Sequence, residues 1–216
     1  MLDRFTWFKQ SAFLWSGDDL KVYVDPWGVS DGSPEADVVF ITHAHFDHFS
    51  PDDIEKIRKD STKVFAPADV ATEIGGNVVS VAPGDSFETN GIGVQAVPAY
   101  NQREERLDFH PKANGWVGYI FDLGGAAYYH AGDTDHVEEL NAIEADVSFV
   151  PIGGTYTMDH AEAAGLVKAI APKLAVPMHY AHVVGQPGDA ELFAAEAAPI
   201  PVRILTPEVP FGPDSE

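Results

Sequence analysis

Residues 37–53 read DVVFITHAHFDHFSPDD, and the fold turns on how this stretch divides. Asp37–Thr42 is a continuous apolar run, the pattern of a strand covered on both faces rather than of an alternating, half-exposed one. Ser50-Pro51-Asp52-Asp53 then supplies an N-cap, a proline at the first helical position and acids in the first turn, so a helix should run from there to about Lys59. Between strand and helix lies His43-Ala44-His45-Phe46-Asp47-His48, whose side chains must emerge at the strand's C-terminal edge. His43 and His45, two apart in an extended stretch, can face the same way and grip one ion. Asp47 and His48, in the turn that follows, can face a second. The bland alternative is a solvated His-rich turn, and the density of imidazole and carboxylate in so few residues argues against it.

Outward from this stretch the chain alternates strands and helices without a linker or a repeat. An early hairpin should pair Ala12–Ser16 with Leu20–Val24 about Gly17-Asp18-Asp19, ending in Asp25-Pro26. Short strands follow near Lys63–Ala66, Asn77–Val81, Ser86–Glu88 and Ile92–Val97. A second hairpin joins Trp116–Leu123 to Ala126–His130 around Gly124-Gly125. Then come a helix near Val137–Ala142, strand Val147–Val150, and a helix over Asp159–Ile170 stopped by Pro172. Strand Leu174–Pro177, a helix near Ala190–Ala197 and strand Val202–Leu205 close the chain. This mixture fits an α/β architecture of two sheets face to face with helices outside, a four-layer sandwich in a single domain over residues 1–216.

Composition narrows the function. The 216 residues carry 34 acidic and 13 basic side chains, a net charge of −21, which argues against non-specific binding to nucleic acid or an anionic membrane face. There is no cysteine, hence no disulfide, no thiolate zinc site and no cysteine nucleophile, and any metal must be held by His and carboxylate. No run approaches the ~18 consecutive apolar residues of a membrane span. The start, MLDRFTWFKQ, lacks a signal-peptide layout, so the expectation is a cytoplasmic chain. A homo-oligomer is compatible with all of this.

More ligands are needed to complete a shell, and three segments at predicted strand ends offer them. These are His130-Ala131-Gly132-Asp133-Thr134, Pro177-Met178-His179-Tyr180, and the loop from Pro98-Ala99-Tyr100-Asn101 to His110-Pro111-Lys112. Carboxylates and imidazoles converging on one rim would form a two-metal site with positions left for water and substrate.

The HxHxDH element, the later Gly-Asp-Thr and the late Pro-Met-His-Tyr resemble the metallo-β-lactamase superfamily over nearly the whole chain, from Val22 to Tyr180. The segments at His110-Pro111-Lys112, Tyr129–Thr134, Pro151–Gly154, Tyr156–Asp159 and Pro177–Tyr180 look most like its ascorbate-6-phosphate lactonase-like branch. The resemblance implies an αββα sandwich with metals at one edge. It also implies His43 and His45 on site one, Asp47, His48 and His179 on site two, and Asp133 bridging both. The third imidazole of site one is an open choice. Asn101 stands at or near the family's His position but is a poor zinc ligand. His110, nine residues later, is the preferred substitute, with its backbone restricted by Pro111. On that reading His110→Ala should cost most of the site-one affinity and Asn101→Ala little.

The expected activity is that of a metal-dependent hydrolase using two divalent ions and a bridging hydroxide on a small anionic ester, a sugar-lactone phosphate or a phosphodiester. Zinc is the expected ion, and manganese, nickel or iron also suit the donor set. Asp47 would orient or deprotonate the water, and His130 would help stabilise the leaving oxygen. The alternative from another class is a non-catalytic metal-containing binding or sensor protein of the same fold. Asp25 reads evenly as an acid behind the ligands or as a turn residue before Pro26. His136 and His182 read as surface, and His160 as capping surface at a helix start. Arg103, Arg106 and Lys112 form the only basic cluster near the site in sequence, either a seat for an anionic substrate or a solvated loop. Trp27 could wall the cleft, and Gly153-Gly154 would allow close backbone approach.

Overall fold

The computed structural model describes residues 1–212. Strands β1 (Phe5–Trp7), β2 (Phe13–Ser16) and β3 (Lys21–Val24) are antiparallel neighbours, and β4 (Val38–Phe40), β5 (Lys63–Ala66) and β6 (Val78–Ser80) extend that sheet parallel to β3. The second sheet repeats the plan. An antiparallel meander of β7 (Ser86–Thr89), β8 (Ile92–Pro98), β9 (Val117–Leu123) and β10 (Ala126–His130) continues into β11 (Val147–Pro151) and β12 (Leu174–Met178), both parallel to β10. Helices α1 (Pro51–Ile57) and α2 (Ala68–Ala71) cover the first sheet, and α3 (His160–Ile170) and α4 (Asp189–Glu196) the second, which makes the four-layer αββα sandwich.

The period of two along the strands explains why both faces are apolar. Val22, Val24, Val38, Phe40 and Phe65 point into the core between the sheets. Their neighbours Tyr23, Val39, Ile41 and Val64 pack outward on Ile54 and Ile57 of α1 and Val70 of α2. Phe40 joins the layers, with ring centroids 5.1 Å from Tyr119 and 4.7 Å from Phe121 on the opposite sheet. Ser50 caps α1, and α3 opens with a capping box between Asp159 and Glu162.

After β4 the chain leaves its own sheet. The Ile41 N–H still donates to the Phe65 carbonyl, but the Thr42 carbonyl already accepts from Val117 of the other sheet at 3.1 Å. The histidine-rich turn therefore opens at the seam between the sheets, beside the C-terminal ends of β8, β10 and β12.

Several elements differ from the sequence reading. The short helix α2 was not anticipated. Val202–Leu205 is not a strand: Val202 makes one isolated bridge to Ala175, and Pro201 directly before it has no N–H with which to lengthen the ladder on that side. The Val137–Ala142 helix is a 3₁₀ turn over Glu138–Ala142. β1 was not anticipated; it pairs along β2 and stacks Trp7 on Phe13 at 6.1 Å.

Candidate metal centre

Four strand ends bring seven side chains together at the seam. His43, His45, Asp47 and His48 follow β4, His110 comes from the loop after β8, Asp133 follows β10 and His179 follows β12. The ligand atoms of His43, His45, His110 and Asp133 form one group within 4.8 Å of one another, and those of Asp47, His48 and His179 form a second. Asp133 faces both. Its Oδ2 lies 3.2 Å from His110 Nε2, 3.8 Å from His43 Nε2 and 3.0 Å from His179 Nε2, while Oδ1 lies 3.3 Å from His48 Nε2. His45 is only half-buried, and solvent reaches the cluster there; the other members are buried.

The imidazoles are aimed by hydrogen bonds on their far sides. Asp25, fully buried and at φ 47°, accepts from Thr42 N–H (2.7 Å), Thr42 Oγ1–H (2.6 Å) and His48 Nδ1 (2.7 Å). With its hydroxyl hydrogen given to Asp25, Thr42 Oγ1 is left to accept from His43 Nδ1 at 3.0 Å. Asn101 Oδ1 accepts from His110 Nδ1 at 2.8 Å and from the His110 backbone N–H at 3.1 Å. These bonds engage the Nδ1 side of His43, His48 and His110 and turn each Nε2 toward Asp133, the arrangement metal-binding imidazoles need. His48 Nε2, His110 Nε2 and Asp133 Oδ1 are buried atoms without a hydrogen-bond partner among the described residues. A cluster of unpartnered imidazole nitrogens about shared carboxylates fits divalent cations.

The electrostatics agree. Burial alone would raise the Asp133 carboxyl, but His179 and His48 hold it well below the carboxylate range. Burial opposes Asp47 in the same way, and His48 with hydrogen-bonded His179 brings it down to about 2. The reverse holds for their partners: against burial, Asp133 and Asp47 raise His179 to about 9 and push His48 well above its usual value. Burial, aided by the neighbouring imidazoles, lowers His43 and His45. Carboxylates ionised to this degree, balanced by protons on two imidazoles, are a site in which a cation can replace those protons.

Other expectations fare variously. Asp25 is the acid behind the ligands. His130 is turned away from the cluster: its Nε2 lies 2.9 Å from the Ser11 carbonyl, its Nδ1 accepts from Gly132 N–H at 3.3 Å, and its ring meets Phe13 edge-on. With both nitrogens committed to backbone, it has no free atom to offer a leaving oxygen. The basic trio is neutralised. Arg106 is buried and pairs with Asp135 (2.7 Å) and Glu162 (2.9 Å), Arg103 pairs with Glu162, and Lys112 with Glu139 (2.7 Å). His182 is buried, only 4% exposed, where a surface residue was expected, because Trp7 and Phe211 cover it. His160 bonds Glu196 of α4 at 2.7 Å, and Asp159 does the capping. Gly153 does allow close approach: a Cβ there would stand 2.5 Å from the His179 carbonyl oxygen.

Three contributors escape the sequence reading. Gln10 is fully buried and its amide donates to Asp47 Oδ2 at 3.0 Å, 3.1 Å from His179 Nε2. Asp135 organises the His110 loop, accepting from Asn101 Nδ2, Arg106 and the backbone N–H groups of Gln102 and Arg103. Its place two residues beyond Asp133 was the available signal. Trp116 walls the first group, 5.0 Å from both His43 and His45, and is fixed by its Nε1–H to Asp69. A surface concavity of about 770 Å³ lies elsewhere, between Phe87, Ile120 and the 139–144 turn.

Residues 4–179 match the β-lactamase superfamily domain. A UPF0173 metal-dependent hydrolase of Thermoplasma acidophilum is 32% identical, covering 95% of this chain and 96% of its own. A crystal structure of a protein described as a metal-dependent hydrolase from Parabacteroides distasonis superposes with a TM-score of 0.85 at 28% identity, over 94% of this chain and 93% of that one. Igni18, a metallo hydrolase from Ignicoccus hospitalis, gives 0.74 at 26% identity, over 94% of each. The match across most of the chain and the near-complete coverage of the Thermoplasma relative show that this chain belongs to the metallo-β-lactamase superfamily and, within it, to the UPF0173 family.

Proposed function

We propose that this protein is a metal-dependent hydrolase that holds two divalent ions, zinc first among them, and cleaves a small anionic ester of the lactone-phosphate or phosphodiester type. The observation that carries the reading is the pair of ligand groups meeting on Asp133, with His48 Nε2, His110 Nε2 and Asp133 Oδ1 buried and without a hydrogen-bond partner among the described residues. His43, His45 and His110 would hold one ion, Asp47, His48 and His179 the other, and Asp133 would join them. The chemistry the ions supply when bound is a shared water made acidic near neutral pH and polarisation of the substrate's carbonyl or phosphoryl oxygen. Asp47, kept ionised and fixed by the Gln10 amide, would orient or deprotonate that water. Thr42, Asp25 and Asn101 hold the imidazoles in register. The names of the relatives support hydrolysis, and the motif likeness to lactonase-like enzymes supports the ester class.

Among the described residues no helix is long and apolar enough to cross a membrane, which suits a small soluble substrate. The test is metal analysis of the purified protein followed by a screen of lactones, phosphodiesters and related esters. Turnover should vanish with a chelator and return with zinc. A protein that holds its metal and turns over no ester would instead be the sensor or binding module.

A further inference from the structure

One cation beside the site touches no carboxylate among the described residues. Lys9 precedes Gln10, the residue bonded to Asp47, and its Nζ sits 3.4 Å from the centroid of the Trp27 ring. Its Nζ makes no ion pair and no hydrogen bond with any described residue, unlike the side-chain cations of Arg103, Arg106 and Lys112. Asp53 and Asp47 act on it through space, yet Asp53 is engaged by Lys56 Nζ and the Gly28 N–H, both at 2.7 Å. The seat is built for this side chain. Gly28, at φ 72°, leaves the space the lysine stem fills, and a Cβ there would stand 2.6 Å from Lys9 Cε and 2.9 Å from Cδ. Phe46, between His45 and Asp47, meets Trp27 edge-on at 5.6 Å and is 64% exposed. A second group lies in the field of Lys9: His182 is buried with neither ring nitrogen partnered among the described residues, and burial followed by Lys9 lowers it to about 4, so it is neutral.

A half-buried ammonium fixed over an indole has given up part of its hydration without gaining a protein acceptor. Such an arrangement is stable when the acceptor is a ligand. We propose that Lys9 anchors a negatively charged substituent of the substrate, a phosphate or a carboxylate, beside the Asp47–His179 half of the metal centre, with Trp27 and Phe46 as the wall of that subsite. This rests on the hydrolase reading and narrows it to esters that carry an anion away from the bond being cleaved.

The test uses zinc-loaded wild type, Lys9→Gln and Lys9→Arg. Inorganic phosphate is titrated by calorimetry. In parallel, esters with one leaving group are compared, ending in a carboxylate, a phosphate or a neutral carboxamide. Lys9→Gln should weaken phosphate about tenfold and lower the kcat/KM preference for the charged esters over the carboxamide by a similar factor, and Lys9→Arg should retain both. Whichever charged ester loses more identifies the anion. Unchanged phosphate affinity in Lys9→Gln, or charged and neutral esters falling together, would overturn the assignment. If Lys9→Gln does not fold, Trp27→Leu, which removes the seat of the ammonium, should weaken phosphate in the same sense. If zinc-loaded wild type turns over no ester, the hydrolase reading fails, while the phosphate titration still decides the role of Lys9.

Discussion

Asn101→Ala probes how far the ligands depend on what lies behind them. Asn101 is 2% exposed and makes four contacts: Oδ1 accepts from His110 Nδ1 (2.8 Å) and the His110 backbone N–H (3.1 Å), and Nδ2 donates to Asp135 Oδ1 and the Tyr156 carbonyl, each at 3.1 Å. The sequence reading, which weighed Asn101 only as a ligand, expects little from its loss. The fold expects more. Net hydrogen bonds of this kind contribute about 1 kcal/mol each, and a buried donor left unmade costs roughly 1–3 kcal/mol. Asp135 keeps Arg106, and water can enter the vacated space, so the loss of stability should come to about 2–4 kcal/mol. Freed from Oδ1, His110 can rotate or shift its proton to Nε2, and losses of this type lower metal affinity about 10–100-fold. Asn101→Asp separates the two effects. It keeps the acceptor for His110 but sets a second carboxylate against Asp135, so it should lose stability and keep zinc. Competition with a chromophoric chelator reads the affinity, and urea unfolding reads the stability. Wild-type zinc affinity in Asn101→Ala, with stability reduced as expected, would refute the claim that this amide directs His110.

Asp133→Asn keeps the shape of the bridging side chain and removes its charge, so bound metal should fall from two ions toward one per chain; full stoichiometry with full activity would move the bridge elsewhere. Arg106→Met leaves Asp135 and Glu162 without their buried cation, for a cost of about 3–5 kcal/mol in urea unfolding, and the loosened loop should also weaken zinc. His182 has its folded pKa lowered to about 4 from an ordinary 6.5, so the unfolded chain takes up its proton first as pH falls. Its contribution is neutral above about pH 6.5 and becomes a penalty, on the order of 2–3 kcal/mol, as pH drops toward 4. His182→Phe should remove that slope, and parallel wild-type and variant curves from pH 7 to 4 would contradict it.

What could be read from the sequence divides along a physical line. Asp37–Thr42 revealed its strand because both faces are apolar, and His43, His45, Asp47 and His48 revealed themselves because neighbouring residues share one turn. His110 needed only one further step, its place in a loop leaving a strand end. The partners behind them did not show. Asn101, Asp135 and Gln10 are polar residues whose roles come from meetings across 9, 34 and 37 positions of chain, and no local period records such meetings. The same blindness gave the errors. Arg106 looks available in sequence because Glu162 is remote, and His182 looks exposed because the segment that carries Phe211 is remote as well.

The charge balance at the seam reconciles an acidic chain with the anionic substrate proposed for it. Asp25, Asp47, Asp133 and Asp135 are buried there, and Arg106 is the one buried guanidinium among the described residues. In the metal-free fold, protons on His48 and His179 offset part of that negative charge, which is why both imidazoles are held above their usual range. Two divalent ions would replace those protons and bring more charge than the protons did, turning this edge from acidic to cationic. Lys9 adds the same sign on the Asp47 side. Most of the other acids among the described residues lie at the surface, where salt screens them within about 8 Å at physiological ionic strength. A nucleic acid, which must lie along that surface, would be repelled along its length. On the proposed reading, a small phosphate or carboxylate ester that reaches the seam would meet the ions and Lys9 at contact distance, so the same sequence would disfavour the polymer and admit the monomer.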